Sequence, residues 1–147
     1  MTDNKAYMKQ IKDYLKRIKK FDNQIDCLLV DLENVSDLAR RITATMKDDV
    51  VSGAMPGDKV GNAVTRLFSL NEQINQQIDM FVDLKNEIHD LMGRLEEPEH
   101  IKVLDLLYFR YQSWNEIAEA MNMSERNAQL IHGEALLAFG ELMNRKE

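Results

Sequence analysis

Within residues 124–133, Ser124, Arg126, Asn127, Gln129, Leu130 and Gly133 have types suited to reading a nucleic-acid duplex if one helix presents them. An arginine such as Arg126 can donate two hydrogen bonds to the O6/N7 edge of guanine, and a glutamine such as Gln129 can bond the N6/N7 edge of adenine. If Ser124 starts a helix, the backbone N–H groups there can donate to a phosphate without any lysine. The charge is wrong for this task. The stretch Ser113–Gly133 carries one arginine, no lysine and three glutamates, and Glu134 follows directly. Neutralised phosphates supply most non-specific affinity, so a reader this acidic needs cations from elsewhere.

Two short helices joined by a tight turn would position these residues. Ser113-Trp-Asn-Glu116 has the pattern of a capping box, in which the serine oxygen takes a backbone N–H and Glu116 reaches back to the cap. Asn122 tolerates a left-handed backbone in the turn, and Ser124 caps the next helix. The elbow of a helix-turn-helix needs a small shared core, and the spacing supplies one. Ile117, Ala118 and Met121 come from the first helix, Met123 from the turn, and Ala128 and Ile131 from the second. A side chain larger than Ala118 would hold the helices apart. The alternative is a helical hairpin with no DNA-reading role. Trp114 reads as core rather than as a base-stacking residue.

Upstream, apolar residues recur at intervals of three and four from Tyr7 through Ile11, Leu15, Ile18, Phe21, Ile25, Leu28/Leu29, Leu32, Val35 and Leu38/Ala39 to Ile42. That spacing predicts one helix of roughly 40 residues, about 60 Å long. Residues 47–58 hold Gly53, Pro56 and Gly57 and read as a loop. A second stripe follows at strict sevens: Val60, Leu67, Ile74, Phe81, Ile88 and Leu95. Its companion row is either Val64, Asn71, Ile78, Lys85 and Met92, with Asn71 and Lys85 as polar interruptions, or one in which Leu70 and Leu84 turn inward. Pro98 ends this helix, and three helices follow: one through Ile101 and Tyr111, one over 114–121 and one from Ser124 to about Met143. The expected fold is all-α. A long antiparallel two-helix coiled-coil hairpin over residues 1–95 (helices at about 5–46 and 58–95) serves oligomerisation, and a trihelical helix-turn-helix unit occupies 96–147. A thin hairpin core leaves apolar surface, so homo-oligomers are expected.

Formal net charge is −6, and it is unevenly distributed. Residues 1–21 hold seven Lys/Arg against two Asp, a balance of +5, whereas residues 96–147 hold five against ten, a balance of −5. The basic tract is Lys5, Lys9, Lys12, Lys16, Arg17, Lys19 and Lys20. It is either a solvated helix face or a phosphate-attracting surface, depending on where the fold puts it. Cys27 is alone and reads as a small buried hydrophobe. No apolar run reaches the ~20 residues of a membrane span, and the first residues have no apolar signal core, so a cytoplasmic protein is expected. Three scattered histidines and no Gly-rich phosphate loop argue against an enzyme, a bound metal or a cofactor.

The run Tyr108-Phe-Arg-Tyr111, Ser113-Trp-Asn-Glu-Ile-Ala-Glu-Ala-Met121, Ser124 and Ile131-His-Gly-Glu-Ala-Leu136 resembles the ArpU/RinA-type phage late-transcription regulators of Gram-positive bacteria. More distantly it is similar to the C-terminal promoter-reading domain of sigma factors. The long helices, with Glu72–Ile88 near the end of the second, fit the same family, so the likeness covers nearly the whole chain. It implies a sequence-specific DNA-binding regulator, possible contact with RNA polymerase, and a structural place for His132 in the motif. Relatives tend to carry basic residues where this chain has Glu125, Leu130 and Glu134. Two alternatives remain: a protein-interaction module that has lost DNA, and a phage terminase small subunit. The latter normally places its reader at the N-terminal end.

Overall fold

The computed structural model describes residues 2–48 and 56–146, and all of its elements are helices. They are α1 (Thr2–Asp48), α2 (Pro56–Met92), α3 (Pro98–Leu104), a π-helical turn (Asp105–Phe109), α4 (Trp114–Met121) and α5 (Glu125–Lys146). The all-α expectation holds. Most of the breaker segment, 49–55, lies outside the described residues, and the helices close in on it from both sides. Pro56 opens α2, where a missing N–H costs nothing. No helix among the described residues is long and apolar enough to cross a membrane.

The chain divides into two compact units, Asp22–Met80 and Met1–Phe21 with Phe81–Glu147. The division by role expected near residue 95 is therefore not the division by packing: the first turns of α1 and the last of α2 belong with the C-terminal helices. Within that unit the two long helices run antiparallel. The Phe21 and Phe81 rings lie 6.4 Å apart, and further along Tyr14 interacts with Glu87. Ile11, Leu15 and Ile18 of α1 and Leu84, Ile88 and Leu91 of α2 share one core with Val103, Leu104, Ile117, Leu136 and Phe139.

Of the two possible companion rows on α2, the inward one is Ala63, Leu70, Leu84 and Leu91, which are buried beside Ile74, Ile88 and Leu95. Asn71 faces out, Val64 and Ile78 are exposed, and Lys85 is half-buried with its ammonium 4.9 Å from the Phe81 ring centre. Met92 alone of that row is buried, at the end of α2. The inward choice removes a leucine rather than an asparagine from water at the 70/71 step. Cys27 is exposed, contrary to expectation, because the buried edge of α1 is set by Ile25 and Leu28 and position 27 is turned away from it.

The inward row passes through Gln77, which is half-buried with Oε1 enclosed and without a hydrogen-bond partner. An enclosed, unpaired acceptor is worth about 1–3 kcal/mol of lost stability. Gln77→Leu is therefore expected to raise the urea-unfolding free energy by about 1 kcal/mol or more, whereas Gln76→Leu on the exposed side should change it by less than about 0.5 kcal/mol. Equal effects of the two substitutions would show that position 77 is not a seam position.

Candidate nucleic-acid interface

The turn between α4 and α5 forms from local signals. Ser113 has extended backbone angles, its Oγ accepts from the Glu116 N–H at 3.3 Å, and the Ser113 N–H donates to Glu116 Oε1 at 3.4 Å, which closes the capping box. At the other end of α4, Asn122 takes φ 56° and ψ 48°. This left-handed step lets the Met123 N–H donate to the Ala118 carbonyl at 3.0 Å and ends the helix. Lys102 on α3 donates to the Ala120 carbonyl at 3.2 Å, a cation at the negative end of α4. Ser124 then caps α5, its Oγ accepting from the Asn127 N–H at 3.1 Å.

The elbow core is made of the residues whose spacing suggested it. Ile117, Ala118, Ala128 and Ile131 are buried, while Met121 and Met123 are half-buried against the same cluster. Two alanines at the crossing let α4 and α5 approach closely. Ser124, Arg126, Asn127, Gln129 and Leu130 are exposed on the first turns of α5, with Leu130 60% accessible. Gly133 differs, being half-buried with the Met8 methyl of α1 3.8 Å from where a Cβ would stand. Glu125 and Glu134 are both exposed, and the Glu134 carboxylate lies 3.6 Å from His100 Nε2.

The helix preceding α4 departs from the expected single run to Tyr111. After α3 the chain widens into the π-helical turn, closed by the Arg110 N–H donating to the Asp105 carbonyl at 3.1 Å and by Arg110 Nε donating to Asp105 Oδ2 at 2.8 Å. The turn buries both Leu106 and Tyr108. Tyr111 then adopts φ 56°, a strained conformation for an aromatic residue.

Sequence reasoning left His132 without partners, and the fold gives it two. Tyr108 Oη lies 2.7 Å from its Nε2, and Trp114 meets the ring edge-on with centroids 5.2 Å apart. Burial pushes the Tyr108 phenol up, so the hydroxyl keeps its proton and is the natural donor to the imidazole. Burial first, then the charges of Lys12 and Lys16 of α1, lower the His132 pKa to about 4. Basic side chains from the start of the chain thus lie close to the middle of α5.

A family model described as protein of unknown function (DUF1492) matches residues 41–138. The chain belongs to this family. The match takes in the end of α1, all of α2, α3 and α4, and α5 as far as residue 138. Among curated proteins and among solved structures, none matches the chain.

The neutral His132 makes stability depend on pH. A free imidazole titrates near 6.5, so between pH 6.5 and about 4 the unfolded chain takes up a proton that the folded DUF1492 protein refuses. The stabilisation is complete above about pH 6.5 and is lost as pH falls toward 4, in total on the order of 3 kcal/mol. Urea unfolding at several pH values in this window should show the folded state weakening on acidification, and His132→Gln should make that dependence shallower. Identical dependences in the two proteins would contradict the assignment.

Proposed function

We propose that this protein is a phage-encoded, sequence-specific DNA-binding regulator of transcription, of the late-gene type, which uses α4 and α5 as its helix-turn-helix and oligomerises through its long helices. The single observation carrying the reading is the elbow: a capping box, a left-handed Asn122 and two facing buried alanines set α5 with Arg126 and Gln129 exposed at its start. This is the geometry by which a second helix enters a major groove. The motif's resemblance to ArpU/RinA-type regulators supplies the phage and late-gene part of the reading.

Arg126 is the one strong cationic donor on the exposed start of α5, so Arg126→Ala should abolish discrimination between a promoter fragment and a mixed-sequence duplex. Glu125→Arg and Glu134→Arg should each tighten binding to any sequence, as repulsion from phosphate becomes attraction. Fluorescence anisotropy at rising salt measures both effects. If neither reversal changes affinity, α5 does not meet DNA. One observation would then favour a protein partner such as RNA polymerase: Leu130 and Leu137, 60% and 42% accessible, flank the carboxylate of Glu134 on α5.

Oligomerisation rests on a second row of α2 that the hairpin does not cover. Val64, Phe68 and Ile78 are 56%, 66% and 38% accessible, with Asn71 and Asn75 between them at helical spacing. A second copy of the chain is the proposed occupant, because the order apolar–Asn–Asn–apolar over 68, 71, 75 and 78 reads the same in both directions, as an isologous antiparallel pairing requires. Light scattering at micromolar concentration should give at least a dimer mass, and Phe68→Glu combined with Ile78→Glu should return the monomer. A wild-type monomer would remove this part of the proposal.

A further inference from the structure

The lysines at the start of α1 fall into one row. Lys5, Lys9, Lys12, Lys16 and Lys19 follow intervals of four, three, four and three, which keeps them on one side of the helix for about 21 Å, the rise of about six base pairs. Lys12 is half-buried and the other four are exposed. The neighbouring side of the same turns carries Ile11, Leu15 and Ile18 into the core.

This row is fixed in place against the recognition helix. Gly140 of α5 leaves the space that Ile11 and Tyr7 occupy, since a Cβ there would stand 2.5 Å from Ile11 Cδ1 and 2.6 Å from Tyr7 Oη. One heptad earlier, Gly133 faces Met8. Asn144 Nδ2 donates to Tyr7 Oη at 2.9 Å, and the Tyr14 and Phe139 rings lie 6.4 Å apart. The side chains of α1 thus lock along one edge of α5, and the lysines must accompany them. At the far end of the row Lys19 Nζ stands 5.6 Å from the ring centre of Tyr111, the residue in strained backbone two positions before the α4 cap. Lys12 and Lys16 lie close enough to His132 to depress its protonation.

We infer that the lysine row of α1 is a second nucleic-acid contact, which holds the phosphate backbone of a duplex beside the recognition helix and supplies the cations that the helix-turn-helix lacks. This inference rests on the proposed DNA-binding function. The division of labour is physical. Lysine is a flexible point charge suited to a phosphate and carries little base information, whereas Arg126 and Gln129 present the planar, bidentate groups that read base edges. Sequence preference and backbone affinity are therefore carried by different helices.

The test uses the full-length protein and a mixed-sequence duplex about three helical turns long, with affinity measured by anisotropy over a range of salt. Each phosphate contact contributes about 0.9 to the slope of log affinity against log salt. Lys12→Glu with Lys16→Glu should lower affinity at low salt by at least about tenfold and make the slope shallower by about 2, while preference for a promoter fragment over mixed sequence persists. Because Lys12 is half-buried, the exposed pair Lys5→Gln and Lys9→Gln serves as a second variant with no packing to disturb. It should make the slope shallower by about 1 to 2. Wild-type slopes in both variants, with DNA still bound, would overturn the inference and leave the helix-turn-helix reading intact. Failure of the wild-type protein to bind any duplex at low salt would overturn both.

Discussion

The C-terminal unit is organised by the close approach of α1 to α5 at Gly140. A Cβ at residue 140 would stand 2.5 Å from Ile11 Cδ1 and 2.6 Å from Tyr7 Oη, so any larger residue there would push both side-chain ends aside. From this approach follow the burial of Ile11, Leu15 and Ile18, the Tyr7–Asn144 hydrogen bond and the stacking of Tyr14 near Phe139. Glycine in mid-helix costs up to about 1 kcal/mol in propensity, and the buried side chains it admits outweigh that cost. Burial is the main reason His132 is held neutral, and the same approach adds the charges of Lys12 and Lys16 to it.

Charge and shape are separated within this unit. Two acidic side chains, Glu125 and Glu134, stand on the helix whose exposed residues suit base readout, while the cations stand on a helix from the opposite end of the chain. Arg110 is tied to Asp105 and serves the π-helical turn, and Lys102 serves the end of α4. Arg126 is exposed at the start of α5, and four of the five lysines in the α1 row are exposed as well.

The interior of the helix-turn-helix is polar at one point only among the buried residues described. His132 sits between Tyr108 and Trp114, with its Nε2 bonded to the phenol. A paired polar group inside an apolar core contributes little net stability but discriminates strongly against arrangements that leave it unpaired. It fixes the π-helical turn, which carries Tyr108, relative to α5. That link spans the elbow from outside and complements the alanine crossing within it.

Much of this was legible in the sequence, and the reason is range. The helices, the Ser113–Glu116 box, the Asn122 turn and the elbow residues depend on neighbours within a few positions, and composition and spacing record such relations directly. The choice between Leu70 and Asn71 for the seam was not legible, because adjacent residues are about 100° apart on a helix and either row fits a stripe of that width. Cys27 was misplaced for the same reason. The widened turn at Asp105–Phe109 leaves the apolar pattern of a helix unbroken, so periodicity alone does not reveal it. The basic tract was visible as charge but had no address. Its position beside α5 is set by contacts between residues more than a hundred positions apart, such as Tyr7 with Asn144, and only tertiary structure could supply it.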